Sequence, residues 1–301
     1  MAWSSKSLGS QFQHNIFRAL VRCGMLPAAR LLLGPVAFWY ALRPSIRQRY
    51  SAYLKHRFGS ISRAKAFYYT ARAYKNFADV LLDRMVLGIT GSLPIRQNSE
   101  TLSQLRAVLA EQRGCILVSA HFGSWQAALY GLETLGQPMN IVQWQDAGDI
   151  DRHYFSQGDE HRIRIINPRE GLPAMVDIHN ALKRNEIVCM MADRFASYER
   201  EYVEADFLGG KIKVPSAPWL IASITGAPVM HTFSLRQNGI ITGLPPLLVR
   251  VPGGIRKDKA ALEKLVRLYT EKLESLVMQY PCHFFNFYDM WSLANDERRT
   301  V

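Results

Sequence analysis

One histidine in this chain stands where an imidazole can act as a base. The run Cys115-Ile116-Leu117-Val118-Ser119-Ala120 is largely apolar and ends in His121, and Phe122, Gly123, Ser124, Trp125 and Gln126 follow. A buried strand closing on a histidine delivers the ring to the mouth of a sheet. Histidine is the side chain best suited to general-base work near neutral pH. The chemistry on offer is removal of a proton from an acceptor hydroxyl or amine, which frees it as a nucleophile. Gly123 permits close backbone approach and unusual dihedrals. Ser124 and Trp125 open an expected helix, whose first amides offer donors for an anion or a developing oxyanion.

A second constellation follows another apolar run. Met191-Ala192 leads into Asp193 and Arg194, and the segment after it carries Glu199, Glu201, Glu204 and Asp206. Arg194 suits a phosphate, with a salt bridge to Asp193 or Glu204 as its structural alternative. Lys211 and Lys213 add positive charge nearby. A catalytic histidine is usually oriented by an acid. In serine proteases, replacing that acid by its amide costs roughly 10⁴ in turnover, largely through the wrong ring tautomer. Gln126 carries no charge, so the carboxylates after residue 192 are the candidates for the acid.

The elements that must position these groups follow from periodicity. Residues 11–56 read as helical, broken near Pro27, Pro35 and Pro44, and residues 61–88 as one long helix. A helix over 103–113 is closed by Gly114. The strand 115–120, a helix over 124–135, a strand over 140–145, a helix over 171–183 and a strand over 187–192 follow. A helix over 215–225, strands near 228–235 and 239–244, and a helix over 260–279 complete the reading. Helices alternating with short apolar strands predict an α/β domain with a mostly parallel sheet flanked by helices, prefaced by N-terminal helices. The division expected is residues 1–60 as membrane-associated helices and 61–301 as the α/β domain. Ligands bind such sheets at the carboxyl ends of strands, which is where His121 and Asp193-Arg194 fall.

Composition narrows the partners. A formal net charge of +12 suits an anionic partner, and nucleic acid is disfavoured because no zinc-finger spacing or repeated basic-aromatic module occurs. Residues 11–57 interleave apolar stretches with Arg18, Arg22, Arg30, Arg43, Arg47, Arg49, Lys55 and Arg57. The uncharged run from Leu31 to Leu42 is shorter than the about 20 residues that span a bilayer. Basic amphipathic helices lying in a membrane interface fit better, with helices packed on the domain as the alternative. Cys23, Cys115, Cys189 and Cys282 show no metal-ligand spacing, and no second histidine or carboxylate lies at ligand spacing from His121. No metal or cofactor is expected, and reduced cysteines favour the cytoplasm or its membrane face.

Several patches resemble the late acyltransferases of lipid A biosynthesis and their relatives. The histidine segment is similar to their His-x-x-x-x-Asp/Glu motif, with Gln126 at the acid position. Met191-Ala192-Asp193-Arg194 and the segment from Val203 to Gly210 resemble the family's Asp-Arg and Phe-x-Gly elements. The helix from Pro215 and Gly226-Ala227-Pro228-Val229 follow as they do in the family. Phe77 to Asp83 and the C-terminal Phe284-Phe285-Asn286-Phe287-Tyr288 also look like family sequence, the latter a core strand or a wall of an acyl tunnel. Mannoside acyltransferases of this superfamily look similar around Val203-Glu204, and by that resemblance Glu204 is the acid that serves His121.

The resemblance implies a glycerophosphate-acyltransferase-like sandwich at the cytoplasmic face of the inner membrane. It implies an acyl carrier protein or acyl-CoA donor and a glycolipid acceptor such as lipid A. Glycyl transfer from a carrier protein and a non-catalytic lipid- or carrier-binding homologue are the alternatives.

Overall fold

The computed structural model describes residues 10–132, 135–144, 163–195 and 201–292. Four helices come first: α1 (Gln11–Arg22), α2 (Leu26–Leu42), α3 (Pro44–Phe58) and α4 (Arg63–Thr90). Pro27 and Pro44 sit in the first turns of α2 and α3, where the missing amide costs nothing. Pro35, expected as a break, lies inside α2. Helix α4 starts where the Ser62 side chain accepts the Lys65 amide at 3.3 Å and stops at Gly91 in the left-handed conformation.

The α/β layer follows. It contains β1 (Ile95–Arg96), α5 (Ser99–Leu109), β2 (Cys115–Ser119), α6 (Trp125–Tyr130), β3 (Met139–Val142), β4 (Ile163–Ile166), α7 (Leu172–Lys183) and β5 (Ile187–Met191). The hairpin β6 (Tyr202–Phe207) and β7 (Gly210–Pro215) precedes α8 (Ala217–Thr225), β8 (Val229–His231), β9 (Ser234–Gln237), β10 (Ile240–Gly243), β11 (Leu247–Val249) and α9 (Lys259–Gln279). The main sheet has the order β11-β8-β2-β5-β3-β4 and is parallel except for β11, as the alternating pattern predicts. Several boundaries differ from expectation: the helix expected over 103–113 is α5, Ser99–Leu109, the one expected over 124–135 stops at Tyr130, and the hairpin β6–β7 is not among the expected elements. Residues 228–235 form two strands, because the chain leaves the main sheet after His231 and β9 joins β10 and β1 in a small second sheet. Pro215 ends β7 rather than opening α8. The C-terminal aromatic segment is no strand; Phe284 makes a single bridge to Phe122 and its neighbours pack as side chains.

Both faces of the sheet are covered, which explains its unbroken apolar strands. Ile116, Val118 and Val188 face a core built with α7, α8 and α9, including the fully buried Trp219 and Tyr269. Cys115, Leu117, Ile187 and Cys189 face a smaller core under α5 and α6. The N-terminal helices share this framework. Tyr50 and Tyr53 of α3 are buried, and both hydroxyls donate to the Pro281 carbonyl, at 3.2 and 2.7 Å. Arg30 of α2 donates to the buried Asp83 of α4 at 2.7 Å, and Arg236 of β9 donates to the same carboxylate at 2.7 Å. An unneutralised buried carboxylate is costly, so this pairing fixes α2 and β9 on α4.

Candidate active site

Strand register brings the two sequence constellations together. In the parallel pair β2–β5, Ser119 lies opposite Met191. Two residues further along each strand stand His121 and Asp193. The backbone amide of His121 donates to Asp193 Oδ2 at 3.0 Å, and ring Nδ1 lies 3.1 Å from Oδ1 and 3.2 Å from Oδ2. A carboxylate only accepts, so Nδ1 carries the proton. Burial and the nearby Arg194 guanidinium hold the ring below its ordinary pKa, against the opposing pull of Asp193. The neutral ring therefore presents Nε2 as its basic nitrogen. Burial alone would raise Asp193, but His121, its hydrogen bonds and Arg194 leave it below the ordinary carboxylate value. This is a charged acid behind a neutral imidazole, the arrangement of a general base.

The aspartate is itself held. Asn286 donates through Nδ2 to Asp193 Oδ2 at 3.0 Å and to its carbonyl at 3.3 Å. Arg194 donates through Nε to Asn286 Oδ1 at 2.7 Å and through Nη2 to the Phe285 carbonyl at 2.9 Å. The Phe285 amide donates to the His121 carbonyl at 2.8 Å, and the Tyr269 hydroxyl to the Ser119 carbonyl at 3.0 Å. The C-terminal segment thus works as a clamp across the ends of β2 and β5. Sequence reading gave Arg194 to a phosphate; here its guanidinium also braces the clamp.

Glu204 is not the carboxylate at His121. It sits on the exposed side of the β6–β7 hairpin, in register opposite Lys213. Alternation along β6 turns Val203, Ala205 and Phe207 inward and Glu204 and Asp206 outward. Lys211 pairs with Asp206 at 2.8 Å on the same exposed hairpin. Glu201 pairs with Arg256, and Glu199 lies outside the described residues. Gln126 also turns from the histidine; its Oε1 accepts from Arg84 Nη1 of α4 at 3.3 Å.

Gly123 has φ +57°, and a Cβ there would lie 1.8 Å from the Ser234 carbonyl oxygen. Its freedom serves chain packing rather than approach to a substrate. Two amides ahead of α6 are occupied as well, because the Gly123 amide donates to the His283 carbonyl at 2.8 Å and the Ser124 amide to the Ser234 carbonyl at 3.3 Å. Trp125 stands over the site, its ring 5.2 Å from that of His121.

His121 opens on a cavity of about 1020 Å³. Trp125, Gln126, Arg84 and Arg194 line it near the histidine, and Phe287 and Tyr288 contribute part of the wall while Phe284 and Phe285 are fully buried in the core. Apolar side chains of α1, α2, α4, α7 and α8 enclose much of the rest. The volume is at the upper end for small-molecule sites, about 300–1,000 Å³. Among the described residues, no group of three or more His, Cys, Asp or Glu side chains is placed to hold a metal ion. Asn286 and Arg84 escaped sequence reading. The only available signal was polarity inside apolar runs, Asn286 between four aromatic residues and Arg84 on the buried stripe of α4.

The family model described as bacterial lipid A biosynthesis acyltransferase matches residues 8–292. Two curated relatives, phosphatidylinositol mannoside acyltransferases of Mycobacterium tuberculosis strains ATCC 25618 / H37Rv and CDC 1551 / Oshkosh, are each 26% identical over 133 residues. The match covers 44% of this chain and 42% of each relative, so the chain spans less than half the length of the curated proteins it matches.

Proposed function

The chain belongs to the bacterial lipid A biosynthesis acyltransferase family, and from that premise we propose that it moves an acyl group from the thioester of an acyl carrier protein or coenzyme A to a hydroxyl or amine of a glycolipid, lipid A or a related envelope lipid. The observation that carries the proposal is the His121–Asp193 pair opening on a large, mainly apolar cavity. His121 Nε2 takes the proton of the acceptor hydroxyl or amine as its oxygen or nitrogen bonds to the thioester carbonyl. The tetrahedral intermediate collapses, the carbon–sulfur bond breaks, and the departing sulfur receives the proton from the imidazolium. Asp193 keeps Nδ1 protonated throughout and stabilises the charged ring. The apolar walls favour a fatty acyl group over a glycyl group. In this reading the α/β layer is of the glycerophosphate-acyltransferase type.

We place the protein at the cytoplasmic face of the inner membrane, lying on it rather than through it. Among the described residues, no helix is long and apolar enough to cross a membrane. Yet α2, apart from Arg30 paired to Asp83, is apolar on both sides: Ala29, Leu33, Ala37 and Ala41 turn inward, while Leu31, Leu32, Phe38, Trp39 and Leu42 are exposed. A helix apolar all round needs an apolar medium on each face. Arg43 stacks on the Trp39 and Tyr40 rings at 5.7 and 5.0 Å, an arrangement suited to a lipid headgroup boundary.

The test is mass spectrometry of envelope lipids from cells with and without the protein. A lipid that gains one acyl group only when the protein is present supports the proposal; identical lipid profiles in cells that make the folded protein count against it.

A further inference from the structure

Asn286 is an amide set between Phe284-Phe285 and Phe287-Tyr288, and it is 1% exposed. Phe287, Tyr288 and Asp289 line the cavity, and Asn286 does not. Burying an amide is costly unless its donor and acceptor are both used. Here each end meets a different group of the site. Nδ2 donates to Asp193 Oδ2 at 3.0 Å and to the Asp193 carbonyl at 3.3 Å, and Oδ1 accepts from Arg194 Nε at 2.7 Å. A guanidinium only donates and a carboxylate only accepts, so the partners dictate which end of the amide faces which. Leucine has a similar outline and makes neither bond. Aspartate could take the Arg194 bond, but it would set a second carboxylate against Asp193.

The consequence reaches the histidine. Oδ2 of the buried Asp193 is anchored from two sides, by the His121 amide and by Asn286 Nδ2, each at 3.0 Å. Two anchors on one oxygen fix the plane of the carboxylate, and that plane puts Oδ1 3.1 Å from His121 Nδ1. Without Asn286, Oδ2 keeps one of these side anchors and the carboxylate turns about its Cβ–Cγ bond. The ring proton then divides between Nδ1 and Nε2, and fewer molecules present a basic Nε2. We propose that Asn286 is a positioning residue of the transfer reaction: it sets the plane of Asp193, and through that plane the tautomer of His121. Arg194 acts through Asn286, because its Nε–H holds the amide in the one orientation that donates to Asp193. The kinetic side of this inference rests on the acyl-transfer reading above; the tautomer side rests on the geometry alone.

The experiment uses the purified full chain and Asn286→Leu. Initial rates are taken with a hexadecanoyl thioester of an acyl carrier protein and a lipid A-type acceptor in vesicles. Hydrogen bonds to charged groups are the strong ones, so kcat should fall by about tenfold or more. The KM for the thioester should not move, because Asn286 does not face the cavity. The second readout needs no substrate. Histidine labelled with ¹⁵N reports the tautomer of each ring, and the His121 signals are those missing from His121→Gln. At a pH where the ring is neutral, the wild-type protein should show His121 protonated at Nδ1, and Asn286→Leu should show a mixture of the two tautomers. Should Asn286→Leu fail to fold, Asn286→Ala carries both measurements. A folded variant with the wild-type tautomer overturns the inference, whatever its rate, because a loss of kcat without a tautomer change is a packing effect. A rise in KM with kcat unchanged also overturns it, since Asn286 would then act on substrate binding. If the wild-type protein transfers nothing and the variant still shows mixed tautomers, the transfer reading fails and the positioning of His121 by Asn286 stands.

Discussion

Replacing Asp193 by asparagine changes one atom and separates the two candidate acids. In the structure Oδ2 of Asp193 faces two donors, the His121 amide and Asn286 Nδ2, both at 3.0 Å. An asparagine must place its carbonyl oxygen there, because its amino group would meet two hydrogens in a buried site. The amino group then falls in the place of Oδ1, 3.1 Å from His121 Nδ1. Nδ1 must accept, so the proton of the neutral ring moves to Nε2 and the base is lost. The same tautomer trap in the serine-protease triad costs roughly 10⁴ in turnover, which is about 5 kcal/mol of barrier. We expect Asp193→Asn to lose about that factor in initial rate with an acyl thioester and lipid acceptor, with its melting temperature close to wild type. Glu204→Gln, on the exposed face of the hairpin, should keep most of the rate. A loss below about tenfold in Asp193→Asn, or an equal loss in Glu204→Gln, would refute the tautomer argument.

Three further outcomes follow from the same geometry. Since burial and Arg194 hold the His121 ring below its ordinary pKa, the base stays neutral further into acid; the acid limb of kcat/KM should fall with a midpoint below about 6.5, and a midpoint above that value counts against His121 as the base. Gln126→Glu should strengthen the contact to Arg84 and leave turnover nearly unchanged, because Nδ1 is already occupied; a large rate increase would show that position 126 is the working acid after all. Gly123→Ala should destabilise the protein by about 3 kcal/mol or more, since its Cβ would collide with the Ser234 carbonyl at a positive φ; an unaltered thermal midpoint would mean the β2–α6 turn is not built as described.

Much of the fold was legible because its signals are local. Apolar strands such as Cys115–Ser119 and Ile187–Met191 stood out between helical stretches, and the parallel layer followed from their alternation. The site was half legible. His121 and Asp193 were both visible at strand ends, but their adjacency depends on β2 and β5 being neighbours in register, a long-range fact. Resemblance favoured Glu204, whose outward direction is decided by period-two alternation along β6. Asn286 was invisible as a functional residue because its partners, Asp193 and Arg194, lie more than 90 residues away in sequence. The N-terminal helices read correctly as helices, while their part in the cavity wall required knowing that α2 lies along α4.

The most direct test of the account is the acyl product itself. The purified chain is incubated with a hexadecanoyl thioester of an acyl carrier protein and a lipid A-type acceptor in vesicles, and the lipid is weighed by mass spectrometry. The account predicts an acceptor heavier by one hexadecanoyl group with the wild-type protein, and none with a folded His121→Ala variant. An equal yield from His121→Ala would contradict it.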